Sequence, residues 1–213
     1  MAQVPTGSTF FVATAYGSNI NTTVVTNAVP AVVTATAHGL VNGDIIEVTS
    51  GWGRLNLRAM RVSASTANTF ALEGADTTNT NFFPVGTGLG SVRKVTAFTQ
   101  ITTVMSPSSS GGDPKTVNYK FIESDVEYII NDGFSATSYT MDLDADSIGS
   151  AGYTAMKSLT DVQTNTMLKI VTRNGSIVLV PCTAALNESI SFSDGQINKV
   201  KASFNGNNRL TRY

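Results

Sequence analysis

Histidine, cysteine and tryptophan each occur once in this chain, and only 14% of its residues are charged. Each scarcity excludes something. His38 and Cys182 stand far apart, and neither sits in a nucleophile motif. No Gly-x-Ser-x-Gly turn and no phosphate loop occurs. A lone cysteine builds no internal disulfide framework, and Cys182 lies in an apolar run where a buried, inert thiol is expected. No apolar run approaches the ~20 residues of a membrane helix, so no membrane insertion is expected. Met1–Thr9 has neither the basic start nor the apolar middle of a secretory leader, which predicts synthesis in the cytoplasm. The formal net charge is -1, without the basic excess that tight nucleic-acid binding requires.

What is present is equally informative. Hydrophobic residues make up 41% of the 213 positions, enough for one good core, or one core with a small satellite domain. Thr, Ser, Asn and Gly occupy the room that charge usually takes. That composition suits strands, turns and surfaces that meet other subunits, since interface cores are poor in charge.

Asn165–Phe204 carries the strongest pattern. Met167–Arg173 and Ser176–Cys182 are apolar runs separated by Asn174-Gly175, the strongest short hairpin signal, expected to place both turn residues at positive φ. The second run is nearly continuous, so both its faces should be covered. Ser189–Ser193 and Gln196–Phe204 read as a further hairpin around Asp194-Gly195, with Ile197, Val200 and Phe204 pointing inward. Upstream, Thr9–Tyr16, Val95–Val104, Thr116–Ile122, Val126–Ile130 and Thr137–Leu143 read as strands. Ser106–Pro114 reads as a flexible loop. One helix is expected over Ser150–Val162, capped by Ser147 or Ser150, with Tyr153, Met156, Leu159 and Thr160 on its buried stripe.

Residues 24–94 read as a separate unit of short strands: Val24-Val25, Ala31–Ala37, Ile45–Thr49, Met60–Ser65 and Thr69–Leu72. Pro30 precedes the second, where a missing N–H is harmless. Glu73–Gly90 reads as a long loop. Such spacing predicts a small β-barrel or sandwich.

The acidic run Asp142-Leu143-Asp144-Ala145-Asp146 has the alternation of a Ca²⁺ loop, but Ser147 and Tyr153 stand where Gly and Glu are required. An acidic strand end leading into a helix is the better reading. His38 before Gly39 reads as a turn residue rather than a general base, and Trp52 as a packed loop residue. No catalytic, cofactor-binding or metal-binding residue is assigned.

Asn27–Thr34, Ala37-His38-Gly39-Leu40, Gly43-Asp44, Leu55-Asn56, Arg58 and Ala67-Asn68-Thr69-Phe70 resemble a small β-barrel module of tailed-phage virion proteins, related to a domain of ubiquitin-activating enzymes. The sequence departs from that pattern at Leu57 and Met60. With this unit set aside, the element order resembles the major tail tube protein of long-tailed phages. The resemblance implies a mainly β, antiparallel sandwich with one helix over residues 1–23 and 95–213, and an inserted accessory β-barrel over 24–94. It also implies hexameric rings, stacked into a tube of the virion tail. Its partners would be further copies of the chain, tape-measure and tail-end proteins, and DNA passing without specific binding. A monomeric β-rich adhesin or receptor-binding module is the alternative, and a hydrolase a poorer one.

Charge is unevenly placed. Glu123, Asp125, Glu127, Asp132, Asp142, Asp144 and Asp146 form a run without bases, whereas Lys199, Lys201, Arg209 and Arg212 follow Asp194 without acids. In stacked rings the two sets would face each other between subunits, and an acidic tube wall would repel DNA phosphates.

Overall fold

The computed structural model describes residues 6–213; Met1–Pro5, the start of the expected tube-domain segment, lie outside them. The described residues form an antiparallel β protein with one α-helix. The first strands are β1 (Thr9–Tyr16), β2 (Ile20–Thr22), β3 (Val24–Val25), β4 (Ala31–Thr34), β5 (Ile45–Ser50), β6 (Arg58–Ser63) and β7 (Thr69–Leu72). Next come β8 (Gly90–Ile101), β9 (Val104–Ser110), β10 (Pro114–Tyr119), β11 (Tyr128–Phe134) and β12 (Ser138–Asp144). Helix α1 (Ala151–Val162) leads to β13 (Asn165–Val171), β14 (Ile177–Ser191), β15 (Lys199–Gly206) and β16 (Thr211–Arg212).

The main sheet runs β3-β4-β7-β6-β5-β8-β1-β13-β14-β15-β12-β9, with β2 and β16 as short additions; β10 and β11 form a separate pair. β8 is the hinge of this order. Its first half pairs with β5 (Val48↔Val92) and its second with β1 (Val12↔Thr99). Three apolar clusters follow from that. Val33, Trp52, Met60 and Phe70 fill the core of residues 24–94. Val12, Met141, Met156, Leu168, Val180 and Phe204 fill the larger core under α1. Ala13, Ala59, Val95, Met167 and Leu179 form a seam between the two. Three ion pairs lie in the first unit: Arg61–Glu73 at 2.5 Å, Arg93–Glu47 at 2.9 Å and Lys94–Asp44 at 2.7 Å.

The helix starts where a cap is available. Ser150 is extended and its hydroxyl accepts from the Tyr153 N–H, satisfying one of the unpaired amides of the first turn. Gly152 is required by packing, since a Cβ there would lie 2.5 Å from the Gln100 carbonyl oxygen on β8. Tyr153 and Met156 are buried, whereas Leu159 and Thr160 lie half-buried at the margin. The Thr160 hydroxyl bridges Met156 O and Leu186 N, each at 2.8 Å, tying α1 to β14.

Several sequence expectations are corrected. Ser106–Pro114 is a loop only over residues 111–113. Residues 104–110 form edge strand β9 against β12, with the hydroxyls of Ser108 and Thr140 at 2.7 Å. Pro107 is tolerated there because an edge strand needs no donor on its free side. At Asn174-Gly175 only Gly175 has positive φ, and its N–H donates to Thr172 O at 2.8 Å. The turn is therefore the longer hairpin connection that ends in one left-handed residue. Ser189–Ser193 is not a separate strand but largely the end of the 15-residue β14. Val200 and Phe204 are buried as expected, but Ile197 is 60% exposed, because β15 begins only at Lys199. β2 falls in the polar stretch Gly17–Thr23, where so short a strand gives no periodic signal.

Candidate functional site

Two projections leave the larger unit at opposite ends of one four-stranded layer, β9-β12-β15-β14. Ser138 on β12 lies beside Ser110 of β9 and Asn205 of β15. Beyond that end the chain extends as the β10–β11 hairpin, here termed the arm. At the other end of β12, Asp144 lies beside Lys199, which faces Ser191 of β14. Beyond it residues 192–198 form a second projection, the tip. Seven residues of β12 separate the ends, roughly 23 Å at strand rise.

The arm is apolar yet uncovered. Every residue of β10 is exposed, as are those of β11 apart from Gly133. Val117, Tyr119, Phe121, Ile122, Val126, Tyr128, Ile129, Ile130 and Phe134 all present their side chains to solvent. Within it, Tyr119 stacks on Tyr128 at 5.4 Å, and Phe121 meets Tyr119 edge-on at 5.5 Å. Aromatic contacts of this kind add to the hairpin ladder, but a two-stranded hairpin alone is marginal in water. Contiguous apolar surface of this sort marks an interaction site. The tip repeats the theme on a smaller scale with exposed Phe192 and Ile197, next to exposed Ile190 at the end of β14.

The charged residues singled out from sequence divide into two groups. Glu123 and Asp125 lie in the arm's turn, and Glu127 just before β11. All three are exposed. Asp142 faces Lys201 across β12 and β15, and Asp144 faces Lys199. These four belong to one subunit's polar sheet face, where each acid has a base opposite. Asp144 also accepts the Asp146 N–H at the 3-10 turn that follows β12. Arg209 leaves the polar face and lies over the Phe134 ring at 4.0 Å. Arg212 sits in β16, opposite Val178. The structure thus brings together Asp142 with Lys201 and Asp144 with Lys199, and not the arm acids with the bases. The exposed arm was present in the sequence as apolar residues, but strand patterning does not distinguish a covered strand from an uncovered one.

His38, Trp52 and Cys182 are all packed inside the protein. His38 is buried; its Nδ1 accepts from the Leu40 N–H at 3.0 Å and its ring meets Phe70 edge-on. Trp52 is buried and donates from Nε1 to Pro84 O at 2.8 Å. Burial pushes the Cys182 thiol up to about 12. Among the described residues no group of three or more His, Cys, Asp or Glu is placed to hold a metal, and no helix is long and apolar enough to cross a membrane.

Comparison with known proteins gives one family. The family model described as phage tail tube protein, TTP, matches residues 50–213, most of the chain, starting inside the segment read as the accessory unit. No curated protein matches the chain. Among solved structures, a chain in the tail of an empty GTA particle, computed with helical refinement in C6 symmetry, is 13% identical. The match has a TM-score of 0.41 and covers 54% of this chain and 84% of that one.

Proposed function

The chain belongs to the phage tail tube protein family, and on that premise we propose that it is the repeating subunit of stacked rings, six to a ring, that form the tube. It is a structural protein of the tail; the family is not one of enzymes. The observation that carries the finer reading is the placement of an apolar arm and an apolar tip at opposite ends of one sheet layer. A contact between unlike ends of identical copies repeats without closing and generates a filament. Burial of the arm against the next subunit supplies the driving force, because exposed apolar area is worth about 25 cal/mol per Å² when covered. The arm acids Glu123, Asp125 and Glu127 then approach the tip end of the next copy, where Lys199 lies. Arg209 and Arg212 take the lesser part, since Arg209 is engaged on its own chain. Lateral closure of a ring pairs sheet edges that would otherwise invite disordered aggregation.

The polar face of β12, β15 and β14 is the surface such a tube offers to tape-measure protein and DNA. Its Asp142–Lys201 and Asp144–Lys199 pairs make that wall charge-balanced rather than acidic. Residues 24–94 form the accessory unit on the outside of the wall. Its ends lie side by side: Gly17 N–H donates to Lys94 O at 2.8 Å, and Thr22 pairs with Gly90. Replacement of Val24–Val92 by a short Gly/Ser linker should leave a folded, assembling protein of lower stability, since it uncovers Met167 and Leu179 at the seam. An insoluble product would remove the two-unit division.

The test of the assembly reading is negative-stain imaging and sedimentation of purified protein over rising concentration. Six-membered rings and tubes are expected; a compact monomer at every concentration would favour the adhesin alternative.

A further inference from the structure

The chain beyond β15 touches three parts of the molecule in succession. Asn207 N–H donates to Pro181 O on β14 at 2.8 Å. Arg209 covers the ring of Phe134 at the base of the arm. Thr211 and Arg212 pair with β14, and the Thr211 hydroxyl donates to Ala59 O on β6 at 2.8 Å. Tyr213 ends the run on the accessory unit. Its hydroxyl accepts the Arg61 N–H at 2.8 Å, and the Arg61 guanidinium lies over its ring at 4.2 Å. The β6–β7 ladder covers Val62↔Leu72 and Ser63↔Ala71, and beyond it the Glu73 N–H still donates to Arg61 O at 2.9 Å, which leaves the Arg61 N–H without a strand partner. The phenol therefore takes the place beside Arg61 that a longer β7 would fill. An amide so placed needs a partner, because an unpaired buried N–H is costly.

We propose that residues 207–213 are a latch that couples the arm to the accessory unit and holds back assembly until the arm is seized. The proposal rests on the reading that the arm docks on a second copy. Phe134 is 53% exposed even with Arg209 over one face. A neighbour that packs on that face must displace the guanidinium, since one ring face cannot hold both. Release of Arg209 removes one anchor of a short segment that also pairs with β14 through β16 and Tyr213 and grips Arg61 at its end, so arm engagement loosens the hold on the accessory unit. Linkage is reciprocal in free energy: what loosens the latch favours engagement of the arm.

The experiment compares wild type, Arg209→Ala and Tyr213→Phe in two measurements. The first is hydrogen exchange at the Arg61 amide of the unassembled protein. Tyr213→Phe removes the acceptor and should speed exchange by an order of magnitude or more; Arg209→Ala should speed it several-fold from the far end of the segment. The second is the protein concentration at which assembly begins, which Arg209→Ala should lower several-fold. An Arg61 amide insensitive to Arg209→Ala, or an unchanged or higher threshold, would overturn the latch. A charge placed on the arm away from Phe134, Ile122→Asp, separates the two readings. If it leaves assembly intact, the arm reading itself fails; if it blocks assembly while Arg209→Ala does nothing, only the latch fails.

Discussion

β13–β14 and β10–β11 are both antiparallel pairs with comparable apolar content, and they meet opposite fates. Met167, Leu168, Leu179 and Val180 are fully buried, while Val117, Tyr128, Ile129 and Ile130 stand in solvent. Hydrogen-bond pairing does not separate them, since each ladder is continuous apart from one bulge near Lys115 in the arm. The difference is cover. β13 has β1 on its outer side, β14 has β15 and β16, and α1 packs across the layer. Among the described residues the arm has neither a flanking strand nor a helix. Apolar side chains therefore report what an element requires, and only topology shows whether the same chain supplies it.

The largest effects that sharpen this contrast are in the covered pair's core. Phe204→Ala should cost about 3–5 kcal/mol and Leu168→Ala about 2–5 kcal/mol by urea unfolding, because both leave cavities among fixed neighbours. Met156→Ala belongs in the same range, and Leu159→Ala should cost clearly less, since Leu159 is only half-buried. Equal losses at the two positions would mean that α1 packs on a different face.

Cys182 gives a smaller, pH-dependent effect. Burial raises the thiol from 9.0 to about 12. A raised folded value favours the native state fully below the unfolded value, and that contribution is lost as pH rises from about 9 towards about 12. Wild type should therefore lose more stability than Cys182→Ala over that window. At neutral pH, alkylation of native Cys182 should be slow and that of the urea-unfolded chain fast. A rapidly reacting native thiol would contradict its burial.

Smallest of all should be Ile129→Ala in the unassembled protein, within about 0.5 kcal/mol of wild type, as for surface positions generally. A loss comparable to Leu168→Ala would show that the arm folds back onto its own chain, and the contrast between the two hairpins would disappear.

Much of the fold was legible where residues have only one use. Thr9–Tyr16 and Thr69–Leu72 match β1 and β7 end for end, and Ser150 caps α1 because its hydroxyl suits that position. The short, regularly spaced strands of residues 24–94 share one apolar cluster, and β8 runs on from β5 to β1 without a break in pattern. The serines of β9 composed like a loop, and their pairing depends on β12, some thirty residues later in sequence. Charge was the least legible. Asp142 and Lys201 are register neighbours on β12 and β15, a placement that a linear sequence does not show.

Negative-stain and sedimentation measurements on Ile122→Asp combined with Ile129→Asp test the central claim most directly. Both positions lie on the exposed arm, so the monomer's urea midpoint should stay with wild type. Two carboxylates in a surface that must lose water on docking should abolish rings stacked into tubes. Tubes of normal length and concentration dependence from this variant, with the fold intact, would contradict the account.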